Sequence, residues 1–257
     1  MDPVIVEIGP LVIRWYGVMM AFMILLGVAM AYRYGPRFGV PTRELDRLTL
    51  PFVLTAVIGA RVGYVISHPA EFKNPLEILR IDHGGLTSHG AIAGALILLW
   101  ITSRRRQLSF WSLTDTTAWT VPLGNILVRF GNFMNGELYG DVTHLPWAVT
   151  FPGVPGSRHP LQIYEMILGA GVLLIAVRVA ERRRFEGEVF WTTMVLSSIA
   201  RIGLDLLRSE DRVVWVLTLG HIPALILVFV GTWFLIRRAS TPSPPSAPTS
   251  PSQTKVS

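Results

Sequence analysis

The residues that could do chemistry in this chain crowd into RFGNFMNGELYG, where Arg129, Asn132, Asn135 and Glu137 fall within nine residues. At helical spacing Arg129, Asn132 and Asn135 align along one face, while Gly136 and Gly140 permit backbone turns or the close approach of a ligand. An arginine flanked by amides suits the oxygens of a phosphate and the hydroxyls of a glycerol. Arg61 and Arg201 also interrupt apolar blocks, with Asp205 one helical turn beyond Arg201. A charge at such a position is costly in a bilayer and marks a function unless it snorkels to a headgroup or is paired. In DHGGLTSHGAIAG, His89 lies among glycines. It could carry a proton near a ligand, or it could hydrogen-bond between helices while Gly90 and Gly94 form a small-xxx-small contact. The spacing is compatible with both. RHPLQIYE (158–165) adds His159, Gln162, Tyr164 and Glu165, for substrate contact or for aromatic anchoring and helix-start chemistry.

The elements that must position these groups follow from the hydropathy. About half of the 257 residues are hydrophobic and 16% are charged. The apolar residues come in blocks of about 20, the length that crosses a bilayer as a helix. Candidate spans are 13–32, 48–67, 86–102, 113–130, 161–179, 189–207 and 213–236. This predicts an all-α membrane protein with about seven transmembrane helices. Its polytopic domain would cover 1–239, followed by a disordered Pro/Ser-rich tail over 240–257 that is too poor in apolar residues to pack.

Arginine supplies 21 of the 23 basic residues. It clusters at Arg33/Arg37/Arg43/Arg47, Arg104/Arg105/Arg106, Arg182/Arg183/Arg184 and Arg237/Arg238, in alternate loops. By the positive-inside rule those loops are cytoplasmic, which places the N-terminus outside and the C-terminus in the cytoplasm. The formal charge of +6 is thereby explained by anionic lipid and topology, and no nucleic-acid partner is expected. The N-terminal residues lack the order of a cleaved signal peptide and read as mature sequence. With that orientation, Tyr16, Arg61, His89, Arg129, Arg201 and Asp205 all fall in the outer half of the membrane. Snorkelling alone does not require this, whereas a shared anion-binding cavity does. The loop over 136–160 lies on the same side and is long enough to suggest a task.

The chain has no cysteine, which excludes disulfides, a thiolate nucleophile of its own and cysteine-ligated metal. A lipid or anion transporter would also bury charges, but it would need polar groups linking both leaflets and commonly shows paired repeats. An intramembrane protease would need a nucleophilic serine motif or facing aspartates, and neither is found.

Taken in order, IRWYG around Tyr16, GARVGYV around Arg61, HGGLTSHGAIAG around His89, RFGNFMNGELYG, RHPLQIYE and the 201–208 segment resemble the prolipoprotein diacylglyceryl transferase family of bacterial inner membranes. RFGNFMNGELYG is the most specific of these. The resemblance implies transfer of the diacylglyceryl group of phosphatidylglycerol to the lipobox cysteine in the signal peptide of a prolipoprotein, with release of glycerol phosphate. Its partners would be those two substrates and membrane lipids, and it needs neither metal nor other cofactor. Carried over by motif, Arg129 and Arg201 engage phosphate, with His89 and Tyr16 as essential polar partners. Arg61, Asn132, Asn135, Glu137, Gly140, Asp205 and Arg208 shape the substrate site. The chain departs from the family pattern at Asp205, where glutamate is frequent, at Asp141, where arginine is usual, and at Leu161, which replaces a small polar residue.

Overall fold

The computed structural model describes residues 2–9, 11–72, 74, 77–78, 85–207 and 221–240. An antiparallel strand pair, β1 (Val4–Ile8) and β2 (Leu11–Arg14), leads directly into helix α1 (Trp15–Tyr34). Then follow α2 (Thr42–Ser67), α3 (Ser88–Arg106), α4 (Phe110–Thr117), α5 (Thr120–Asn135), α6 (Leu161–Glu181), α7 (Glu188–Asp205) and α8 (His221–Ala239). Four segments are long and apolar enough to cross a membrane: Trp15–Phe38, Thr42–Ser67, Leu161–Glu181 and His221–Ala239. Large apolar side chains such as Leu25, Ile58, Ile66, Ile167 and Phe229 point outward from these helices, as a lipid-facing surface requires. The protein is an all-α membrane protein apart from the small hairpin, which sequence periodicity did not reveal. Its residues are mostly β-branched and turn at Gly9, whose φ of 59° is in the left-handed region.

Each apolar block finds a helix, with one break. The expected fourth span, 113–130, divides into α4 and α5 at Ala118 and Trp119. Pro122 accounts for this, because it has no N–H to donate and its ring crowds the carbonyl four residues back, at Ala118. The seventh block is helical from His221 onward; its first residues, 213–220, and the expected tail over 241–257 lie outside the described residues.

Trp119 is wholly buried at the break, in a core with Tyr34, Phe38, Leu123, Ala176, Ala180 and Val189. This core joins α1, α5, α6 and α7. Arg183, expected as one of a loop cluster, turns inward here: its Nε meets Asp115 of α4 at 2.8 Å and its Nη2 donates to Ser112 Oγ at 3.0 Å. Asp115, fully buried, also accepts the N–H groups of Gly187 and Phe190, both at 2.8 Å. It thus caps the first turn of α7 from another helix.

Helices α2 and α3 form a separate seam of small residues. A Cβ at Gly59 would lie 2.4 Å from the carbonyl oxygen of Gly90, and one at Gly94 would lie 2.4 Å from that of Thr55. Thr87 completes the seam by donating its N–H to the Ala60 carbonyl at 3.0 Å. Gly90 and Gly94 therefore do act as a helix-contact pair.

Candidate active site

The site is built where α5 ends. Gly136 takes φ 70° past the last helical residue, and the Glu137 N–H bonds back to the Asn132 carbonyl at 3.1 Å. This left-handed cap turns the chain so that Glu137 folds under α5. One carboxylate oxygen of Glu137 accepts from Asn132 Nδ2 at 2.7 Å and from Asn135 Nδ2 at 3.1 Å. Asn132 Oδ1 in turn receives Arg129 Nη1 at 3.3 Å. The four polar residues of the motif thus form one connected network, with Asn132 buried at its centre.

Arg129 is held from a second side. Its Nε forms an ion pair with Glu165 of α6, each side chain being under a fifth exposed. Among the described residues its Nη2 has no partner. The guanidinium is therefore oriented through Nε and Nη1, with its remaining donors available to an anion. Gln162, one turn before Glu165 and fully buried, donates Nε2 to the Glu137 carbonyl at 2.6 Å, tying α6 to the motif.

Tyr16 is brought to the same place by a close helix crossing. A Cβ at Gly131 would stand 3.0 Å from the Tyr16 Cα, so α1 crosses directly over α5. Tyr16 remains partly exposed, with the charges of Glu137 and Arg129 as its electrostatic neighbours. Gly140 is equally confined: its N–H donates to the His159 carbonyl at 2.9 Å, and a Cβ there would meet His159 Cβ at 2.8 Å and the Leu207 carbonyl at 3.1 Å. It lets the 136–160 loop pass between the start of α6 and the end of α7. That loop has its own small core, in which Phe151 is buried against Phe133 and Tyr139 and Arg158 stacks on Tyr139.

Arg201 and Asp205 end α7 near this loop. Arg201 Nε lies 3.4 Å from Asp205 Oδ2; the arginine is half exposed and the carboxylate buried. Asp205 also faces His221 of α8, with Nε2 4.0 Å from the same oxygen.

Arg61 and His89 sit on the α2–α3 pair. Arg61 donates Nε to the Ile78 carbonyl at 2.8 Å, Nη1 to that of Gly85 at 3.0 Å and Nη2 to that of Glu77 at 2.7 Å. It fastens the loop between the two helices, a task that its sequence position did not disclose. His89 is exposed in the first turn of α3 and makes no hydrogen bond or ion pair with the described residues. Arg208 lies outside the described residues. The structure therefore joins Arg129, Asn132, Asn135 and Glu137 in one hydrogen-bonded network, sets Tyr16 beside it through the Gly131 crossing and packs Gly140 against His159, Leu161 and Leu207, pairs Arg201 with Asp205, and gives His89 no hydrogen bond or ion pair with either group among the described residues. Glu165 and Gln162 enter as groups that hold the motif in place. A carboxylate just inside an apolar block, following a span that ends in arginine, was the signal for Glu165.

The model of the family described as prolipoprotein diacylglyceryl transferase matches residues 3–237. The chain belongs to that family. A relative from Solidesulfovibrio magneticus is 38% identical, covering 93% of this chain and 95% of its own. Relatives from Nitratidesulfovibrio vulgaris and Rhizobium leguminosarum are 37% and 35% identical, covering 96% and 92% of this chain. All three carry the name phosphatidylglycerol–prolipoprotein diacylglyceryl transferase. The family match takes in α1 to α7, all but the last two residues of α8, and the loop over 136–160, so the polar network around Arg129 lies inside the family's own extent.

Proposed function

We propose that this chain transfers the diacylglyceryl group of phosphatidylglycerol to the lipobox cysteine thiol of prolipoproteins, the first step of bacterial lipoprotein maturation. The observation that supports this best is Arg129, oriented by Glu165 and Asn132 with donors left over, in a chain whose residues 3–237 match the family. In the reaction the substrate thiolate attacks the glycerol carbon that bears the phosphate. The S–C bond forms as the C–O bond breaks, and glycerol phosphate departs with the bonding pair. This chain has no cysteine to compete as nucleophile.

Arg129 and Arg201 hold the phosphate, and Arg129 neutralises the charge that grows on its leaving oxygen. Asn132, Asn135 and Glu137 align the headgroup, and Tyr16 closes the site from α1. The thiol must lose its proton to become nucleophilic. His89, exposed at the start of α3, is the chain's titratable group for that step once the α2–α3 pair meets the substrates. Arg61 serves by holding the loop that precedes His89. Arg208 follows Arg201 and Asp205 in the motif and is assigned with Asp205 to substrate binding.

The placement follows from the loops. The arginine-rich ends face the cytoplasm across seven spans, the N-terminus is outside, the C-terminus is cytoplasmic, and the site opens toward the outer leaflet of the bacterial inner membrane. The lipobox-bearing signal peptide would reach it from there.

The test is to incubate purified protein with labelled phosphatidylglycerol and a lipobox peptide, and to look for lipidated peptide together with glycerol phosphate. Arg129→Ala and His89→Ala should abolish the product while the protein still inserts. Lipid movement across vesicles without product would instead identify a flippase. Wild-type turnover in both variants would sink the catalytic assignment.

A further inference from the structure

Behind the Arg201–Asp205 pair stands His221, the first residue of α8. Three side chains from two helices form a row in which exposure falls from front to back. The Arg201 side chain is 49% exposed, that of Asp205 9% and that of His221 2%. The same carboxylate oxygen, Asp205 Oδ2, faces Arg201 Nε at 3.4 Å and His221 Nε2 at 4.0 Å. Arg201 alone of the three can meet a ligand, and the other two lie behind it.

An arginine paired only with a carboxylate one turn along its own helix is loosely held, because such a pair contributes little and both side chains keep their torsional freedom. A second group on another helix removes that freedom. The 4.0 Å separation is too long for a hydrogen bond, so the imidazole acts through the volume and the polar edge it places behind the oxygen. No charged residue follows His221 on α8 until Arg237 and Arg238 at its far end, so this end of α8 adds no competing charge of its own.

We propose that His221 is a positioning residue for lipid binding: through Asp205 it sets the direction in which the Arg201 guanidinium meets the phosphate of an anionic phospholipid. This rests on the transferase reading of Arg201. Because His221 acts through Asp205, its removal should matter only while the carboxylate is present.

The experiment measures kcat and the KM for phosphatidylglycerol in detergent micelles for wild type, His221→Ala, His221→Gln, Asp205→Asn and Asp205→Asn/His221→Ala, with the melting temperature of each. If His221→Ala is not recovered folded, His221→Met, which fills the volume without a ring nitrogen, replaces it in both backgrounds. The expected result is a KM raised about tenfold in His221→Ala with kcat within about twofold. Glutamine, which can present a nitrogen near the position of Nε2, should largely restore it. In the Asp205→Asn background the same replacement should add nothing. An unchanged KM in His221→Ala, an equal rise in both backgrounds, or a fall in melting temperature and kcat with KM intact overturns the proposal. A wild type that binds lipid but lipidates no peptide overturns the transferase reading instead, which separates the two failures.

Discussion

Arg129 and Glu165 meet across the contact of α5 with α6, each with most of its side chain out of reach of solvent. The carboxylate offsets the cost of keeping a guanidinium inside the bundle, and it fixes the guanidinium's plane. Asn132 holds the next nitrogen at 3.3 Å, so the orientation is set at two points. This asks for a forked cation and not just a positive charge.

Arg129→Lys should therefore fail nearly as badly as Arg129→Ala, with transfer down at least about 100-fold, because a lysine cannot reach Glu165, Asn132 and a phosphate together. Glu165→Gln leaves an uncompensated arginine and should lower both melting temperature and turnover. The double variant Arg129→Gln/Glu165→Gln should recover much of the melting temperature and none of the activity. Turnover assays beside thermal melts check this. A lysine variant with near wild-type turnover would show that charge alone suffices.

Gly140 separates packing from chemistry. A methyl group there meets His159 Cβ, Leu161 Cγ at 2.9 Å and the Leu207 carbonyl, none of which is the far end of a flexible side chain that could swing aside. Gly140→Ala should cost about 1–3 kcal/mol of stability and displace the loop from Glu137, cutting turnover more than tenfold. Gly171 and Gly203 have nothing within 4 Å of an added Cβ, so alanine at either should be tolerated. Melts and turnover of the three variants decide it; equal tolerance at Gly140 would mean the loop is not confined as described.

The helices were readable from the sequence because lipid imposes one rule on every span: about 20 apolar residues whose backbone bonds are satisfied internally. Gly90 and Gly94 were legible for the same reason, since small residues let spans approach. The interruption at Ala118 was legible in principle through Pro122, but an apolar run masks a single proline. The partners were harder. Arg183 reads as one of three consecutive arginines, and only the fold reveals that it turns in toward Asp115 while Arg184 turns to Glu188. Arg61 looked like a ligand-binding charge; its use as a clasp for carbonyls 16 to 24 residues away depends on how the loop returns. Spacing within one helix is local information, whereas these pairings are set by tertiary closure.

The α2–α3 seam yields a second packing prediction with a functional edge. Alanine at Gly59 or Gly90 places a Cβ against the facing backbone, at 2.4 and 2.2 Å from a carbonyl oxygen. The helices must separate, and His89 and the Arg61-bound loop move with them. Gly59→Ala should therefore reduce transfer by about the same factor as a His89 replacement while leaving the Arg129 network intact. Retained phosphatidylglycerol binding with lost turnover, measured by equilibrium binding and assay in parallel, is the expected pattern. Loss of lipid binding would place the seam in the lipid site itself.

At the opposite end of the bundle Asp115 gives the converse case. It is fully buried, accepts two backbone N–H groups at the start of α7 and pairs with Arg183 at 2.8 Å. Asparagine would turn one of its two acceptors into a donor facing donors, and alanine would leave Arg183 and both N–H groups without their partner. Removing one member of a buried pair costs about 3–5 kcal/mol, which for a chain of this size corresponds to a melting temperature lower by on the order of 10 °C. Since α7 runs from this capped turn to Arg201, a loosened start could in principle propagate to the lipid site; but the core around Trp119, between Asp115 and that site, is closely packed and holds α5, α6 and α7 in register. Asp115→Asn should accordingly melt earlier while the folded fraction keeps its KM for phosphatidylglycerol within about twofold. A KM changed severalfold with an unaltered melting temperature would mean that the two ends are coupled through α7.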